Sequence, residues 1–434
     1  MPTIDAKPSQ FTTNLKALGP GLLFAGGAIG VSHLVQSTRA GALFGLGLMG
    51  VIIVANISKY PGMSFGARYS HATGLSLLEA YRRQGMWTLV VFAMLTLGSM
   101  FIVSAAVTLV TAAIFNELIL RRLIDDPSLQ LGCIILLGCG GVLLKTGGYA
   151  WLDKAIKFLL GTMALLTLAA TAIVLPDLEW GTLSLTYPAV AMNAAAISFA
   201  IALAGWMPAP LDLSVWNSMW ALAKQEQTGR RATPAENQFD FNTGYALCVV
   251  MAVCFVILGT VVMHQPGIAP AAGGVGLAKQ ILSLFTESLG AWSYPVVGAS
   301  ALAVMFSTTL TAVDAFPRVL VVLKDRFASA EAPGEAARDF AAERSYWIAF
   351  AIICTGSLTL LYVFLTSFRQ FVDLATTLSF VTTPVLALFN HRAMFSAEVP
   401  QAYRPSNTMK RYSEVCIGAL SVFALVYLWI RFIA

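Results

Sequence analysis

Apolar runs follow one another along nearly the whole chain, separated by short polar or Pro/Gly-rich breaks. A membrane-crossing helix needs about 20 such residues. Reading run by run predicts eleven, near 18–40, 43–68, 87–116, 130–145, 151–175, 189–223, 243–263, 292–323, 346–366, 371–390 and 412–433. The pattern therefore predicts an all-α polytopic membrane protein, folded as one transmembrane domain over residues 1–434. Residues 1–16 are polar, no removable leader is expected among them, and the first apolar run is expected to belong to the fold. Within 264–291, LAKQILSLFTESLG has helical amphipathic spacing and predicts an external helix capping the bundle. Residues 325–345 are polar and Ala-rich and suit a cytoplasmic surface helix or loop.

Charge adds orientation. With the N-terminus inside, the cytoplasmic side collects 21 of the 27 basic residues, Lys59, Arg68 and Arg82 among them, against 6 outside, including Arg39 and Arg369. The positive-inside rule then predicts N-in and C-out, in a bacterial-type cytoplasmic membrane. Composition agrees, because 57% of residues are hydrophobic and only 11% are charged, where a soluble domain carries roughly a quarter. The net charge of +5 is scattered over short loops, so the lipid bilayer rather than nucleic acid is the expected partner. The six cysteines lie inside apolar runs with no CxxC. They are expected to be small core residues.

Two spans are interrupted, five apart. The first holds Gly26, Gly27, Gly30 and Ser32, followed by His33, Gln36, Ser37, Thr38 and Arg39. The sixth holds Gly205, then Pro208 and Pro210, with Asp212, Ser214 and Asn217 beyond. Proline removes a backbone donor and clashes with the preceding turn. In lipid the freed carbonyls are costly, so such a break persists only where it lines a cavity or is buried in protein. A proline kink alone explains one such helix. Corresponding breaks with polar residues beside both are the pointer to an inverted-repeat transporter. A 5+5 arrangement puts repeat one at about 18–175, repeat two at about 189–390, and 412–433 outside both.

These residues also resemble the Nramp family of divalent-metal transporters over most of the chain. The first span, LGPGLLFAGGAIGVSHLVQSTRAGALFG, is similar to the family pattern, as is ANISKYPGMSFGARYSHATGLSLLEAYRR in the second. Met207-Pro208 matches the start of the family's Met-Pro-His-Asn, and Ser307-Thr308-Thr309-Leu310-Thr311 its Ser-Ser-Thr-Ile-Thr. The resemblance implies a leucine-transporter fold, alternating access, and a secondary transporter of divalent metal ions. It also exposes departures. The family's metal-binding Asp falls at Gly30 and its Asn at His33. The helix-6 histidines fall at Ala209 and Ser214, and nothing acidic lies between Trp87 and Glu117, where the family places its proton route.

By resemblance, His33, Met207 and the Ala204 carbonyl are the expected metal ligands, beside Gly30. Imidazole with thioether suits Mn, Fe, Co, Zn or Cu better than Mg or Ca. Asp212, an expensive intramembrane carboxylate, stands as a substitute charge, a proton acceptor or a vestibule residue. Ser32, Gln36, Ser307 and Thr308 are candidate second-layer or coupling residues, the last two for Na+. Their alternative role is hydrogen bonding within the bundle. Proton coupling of the family's type is expected to be weak or absent.

No enzyme constellation is recognised, and HExxH is absent. GCGGVLLKT fails as a phosphate loop because Leu144 precedes Lys145. No cofactor is expected. The expected partner is a transported ion or small solute, and the chain is expected to be monomeric. A Na+- or H+-coupled carrier of a small non-metal solute and a non-transporting receptor or scaffold remain the alternatives.

Overall fold

The computed structural model describes residues 19–147, 149–180, 193–229, 232–329, 338–364 and 367–432. The expected polar start of the chain, the head of the sixth span at 189–192 and positions 330–337 of the inner loop lie outside these. The described residues are helical, without a strand. In chain order α1 is Pro20–Ala28, and α2 runs as Val31–Ser37 and then Thr38–Phe44. The following helices are α3 Met49–Thr73, α4 Leu77–Gln84, α5 Met86–Leu118, α6 Leu129–Thr146 and α7 Tyr149–Val174. Then come α8 Ala194–Gly205, α9 Leu213–Thr228, and α10 Pro234–Gly259 with its extension Thr260–His264. Finally, α11 is Gly274–Leu289, α12 Ser293–Ala328, α13 Arg344–Phe364, α14 Phe368–Met394 and α15 Asn407–Phe432.

Among the described residues, eight helices are long and apolar enough to cross a membrane. Helix α3 is long enough, at 25 residues, but carries Asn56, Lys59 and His71 on its buried side. Its Pro61 cannot donate to the Ile57 carbonyl, and the Tyr412 hydroxyl donates to that oxygen instead at 2.5 Å. The first and sixth apolar runs each form two pieces, α1 with α2 and α8 with α9, interrupted at 29–30 and 206–212.

Helices α1 and α2 are held against α10 by contact between backbones. A Cβ on Gly21 would strike the Asp240 carbonyl, and one on Gly41 would strike that of Val256. Small residues at such crossings let helices approach closely without a hydrophobic driving force. The same crossing is closed by charge, since the Gly19 and Gly21 amides donate to the two Asp240 carboxylate oxygens at 2.8 and 2.7 Å. An acid at a helix N-terminus meets the orphan amides and the positive end of the dipole. The amphipathic segment forms α11, burying Leu277, Ile281 and Phe285 along one face.

Candidate functional site

The two breaks touch each other. At the first, the Ser32 hydroxyl lies 3.0 Å from the Ala28 carbonyl and 3.2 Å from that of Pro208, so one side chain stitches α1, α2 and the α8–α9 gap together. The Thr308 hydroxyl of α12 lies 3.3 Å from the Gly26 carbonyl. Gly30 matters here because a Cβ on it would come within 2.7 Å of the Thr308 hydroxyl. Thr308 therefore fills the space in which a larger residue at position 30 would begin.

Between the breaks lies a cavity of about 30 Å³, enough for one or two waters. Its wall is mostly carbon, from Val103, Val107, Trp206, Leu213 and Trp216, with Ser32, Thr308 and Thr311 as its side-chain oxygens. Among the described residues, no group of three His, Cys, Asp or Glu side chains is placed to hold a metal ion.

The expected site residues distribute unevenly around this cavity. Ser32 and Thr308 line it, and Gly30 adjoins it through Thr308. His33 does not line it. Its Nδ1 pairs with the Ser32 hydroxyl at 2.7 Å and its Nε2 with the Cys248 carbonyl of α10 at 3.0 Å. Both nitrogens are thus engaged between helices in this arrangement. Met207 is fully buried in a separate apolar cluster with Leu203, Phe380 and Leu46, away from the cavity wall. Asp212 is buried at the head of α9, where the helix dipole favours an acid. Ser307 lies beside Gly26 without lining the cavity.

Gln36 belongs elsewhere. Arg39 donates to both Asp373 oxygens, at 2.7 and 3.1 Å, and to the Gln36 side-chain Oε1 at 2.7 Å. Gln36 in turn donates to Asp373 at 3.0 Å. The guanidinium also lies 4.8 Å from the Phe199 ring centre. One cluster therefore ties α2 to α8 and α14. A bidentate Arg–carboxylate pair is the directional kind of ion pair.

The break in the sixth span is occupied by a residue that charge counting placed at the inner side. Lys59 of α3 is 1% exposed, and its Nζ donates to the carbonyls of Ala204, Gly205 and Ala209 at 2.8, 2.6 and 3.2 Å. The sequence carried the signal for it, because an ionisable residue inside the run 43–68 is a functional-site candidate by default. Counting Lys59 as a loop charge concealed that.

A family model described as natural resistance-associated macrophage protein-like matches residues 21–430. The chain belongs to the Nramp family. It is 29% identical to an uncharacterized protein of Pasteurella multocida, over 98% of this chain and 95% of that one. Its structure is similar to that of the Eremococcus coleocola manganese transporter, with a TM-score of 0.67 at 16% identity, covering 98% of this chain and 88% of that one. It is also similar to MhsT in complex with L-phenylalanine, with a TM-score of 0.62 at 13% identity, covering 94% and 97%. These likenesses show the leucine-transporter fold. As an Nramp member the chain is an integral membrane transporter and not an enzyme.

Proposed function

We propose that this Nramp member is a secondary-active carrier of a divalent metal ion, working by alternating access through the crevice between its two broken helices. The observation that carries this reading is the way the helix-6 break already holds a cation: three main-chain oxygens converge on the Lys59 ammonium. The last-turn carbonyls of a helix form the negative end of its dipole. Manganese, the ion in the name of one structural relative, is the first cargo to test.

The same reading takes the eleven runs as eleven spans in a 5+5 inverted repeat, with the N-terminus cytoplasmic, in a bacterial inner membrane, as a monomer. Donors available at the cavity are hydroxyl and carbonyl oxygens, while His33 and Met207 act as ligands only after turning toward it. Oxygen donors suit hard ions as well as borderline ones, so discrimination against Mg2+ is expected to be shallow. Proton coupling is expected to be weak, because α5 carries no acid before Glu117.

The carbon-rich cavity wall favours a second reading, a small non-metal solute in place of the ion. Proteoliposomes separate the two. Uptake of Mn2+ by wild type, with no uptake of neutral amino acids, supports the metal; the reverse supports the solute.

A further inference from the structure

Lys59 is buried where solvation does not explain a lysine. It sits on α3, inside an apolar run, and reaches across to the end of α8. Its three ammonium donors meet three carbonyls, those of Ala204, Gly205 and Ala209. Among the described residues no carboxylate pairs with it, although Arg39 and Arg326, equally buried, each have one. A buried charge without a counter-ion is costly, so its compensation comes from backbone dipoles alone. That is the arrangement of a cation-binding seat, filled from within the chain. One of its three oxygens belongs to Ala209, which also lines the central cavity.

We propose that Lys59 is a tethered competitor for the transported cation, occupying the carbonyl seat at the helix-6 break and leaving it when cargo binds. The inference rests on the cation reading above and deepens it. A dication and an ammonium cannot share one set of oxygens, so cargo that engages the Ala204 carbonyl must first displace Nζ. The site is therefore never an empty polar hole in the low-dielectric interior. It exchanges an internal cation for an external one. Lys59 thereby sets affinity, because every bound ion competes with a side chain held at high effective concentration.

The test uses the full-length protein in detergent, titrated with Mn2+ by calorimetry, wild type beside Lys59→Met and Lys59→Gln. The expected result is binding at least tenfold tighter in both variants. Unchanged or lost affinity in a folded variant overturns the proposal. Wild type also reports directly, through reductive methylation of its lysines read by mass spectrometry with and without Mn2+. Lys59 labelling is expected to rise several-fold with the ion, and this arm decides the matter where neither variant folds. If wild type takes up Mn2+ while Lys59 labelling stays flat, the competitor is wrong and the cation reading stands. If neither wild type nor any variant binds Mn2+ at millimolar concentration, both fall.

Discussion

The break in the first span and the break in the sixth are satisfied by different means. At the first, the freed backbone is met by side chains of the segment itself and of α12: Ser32, whose one proton serves Ala28 or Pro208, and Thr308 on Gly26. His33 anchors Ser32 from behind while holding the Cys248 carbonyl of α10. At the sixth, Pro208 and Pro210 leave the end of α8 with carbonyls that a residue 145 positions away satisfies. One break is closed by hydroxyls, the other by the Nζ of a lysine. The difference teaches that a shared interruption in two helices does not imply a shared chemistry. Only the second break is built around a cation.

That contrast can be broken or sharpened by substitution. The largest loss of stability is expected for Lys59→Ala, which leaves the buried carbonyls of Gly205 and Ala209 without this donor and that of Ala204 with only the Met207 amide, each unmet group costing about 1–3 kcal/mol. Denaturation in detergent should show it well below Ser32→Ala. If both cost the same, the sixth break does not depend on Lys59. Gly30→Ala is expected to come next, at about 1–3 kcal/mol for overpacking, since the new Cβ presses on Thr308. A Gly30→Ala, Thr308→Ala double variant, which removes both the hydroxyl and the methyl, should recover part of that loss, and failure to recover would show that Thr308 is not the obstacle. Ser32→Ala removes the single hydroxyl proton that reaches toward Ala28 or Pro208, at about 1 kcal/mol, and should slow Mn2+ uptake because the contact with Pro208 joins the two breaks.

Smaller effects test the periphery. Arg39→Ala removes the tie between α2 and α14, whose Asp373 side chain is 31% exposed. Solvent screening keeps its stability cost below about 1 kcal/mol. Its readout is instead faster labelling, from the side of Asp373, of a cysteine placed at Thr377, in the crevice of about 910 Å³ that Arg39 and Asp373 also line. Unchanged labelling would remove the cluster from the transport path. His33→Gln, which can keep one polar partner, should cost least and leave Mn2+ affinity within about threefold. A selective loss of affinity with unchanged stability would establish His33 as a ligand.

Much of this architecture was legible in residue order. Glycines at 26, 27 and 30 and prolines at 208 and 210 mark both interruptions, because backbone chemistry acts locally. The amphipathic run that became α11 was readable for the same reason. What fills a break is not local. His33 stands in a ligand position by resemblance, yet its two nitrogens are taken by a neighbouring hydroxyl and a carbonyl 215 residues away. Lys59 reads as one more inner charge until α3 is packed on the end of α8. Gln36 and Asp373, 337 positions apart, share one guanidinium. Spacing identifies a helix and its faults; only packing shows which charge is brought to them.

The most direct test of the central claim is anomalous scattering from crystals of the full-length protein grown with Mn2+. A transport site at the paired breaks predicts a manganese peak bounded by Ala28, Ser32, Ala209 and Thr308, with the Lys59 ammonium drawn away from the Ala204 carbonyl. A peak outside this space, with Lys59 still on its three carbonyls, would contradict it.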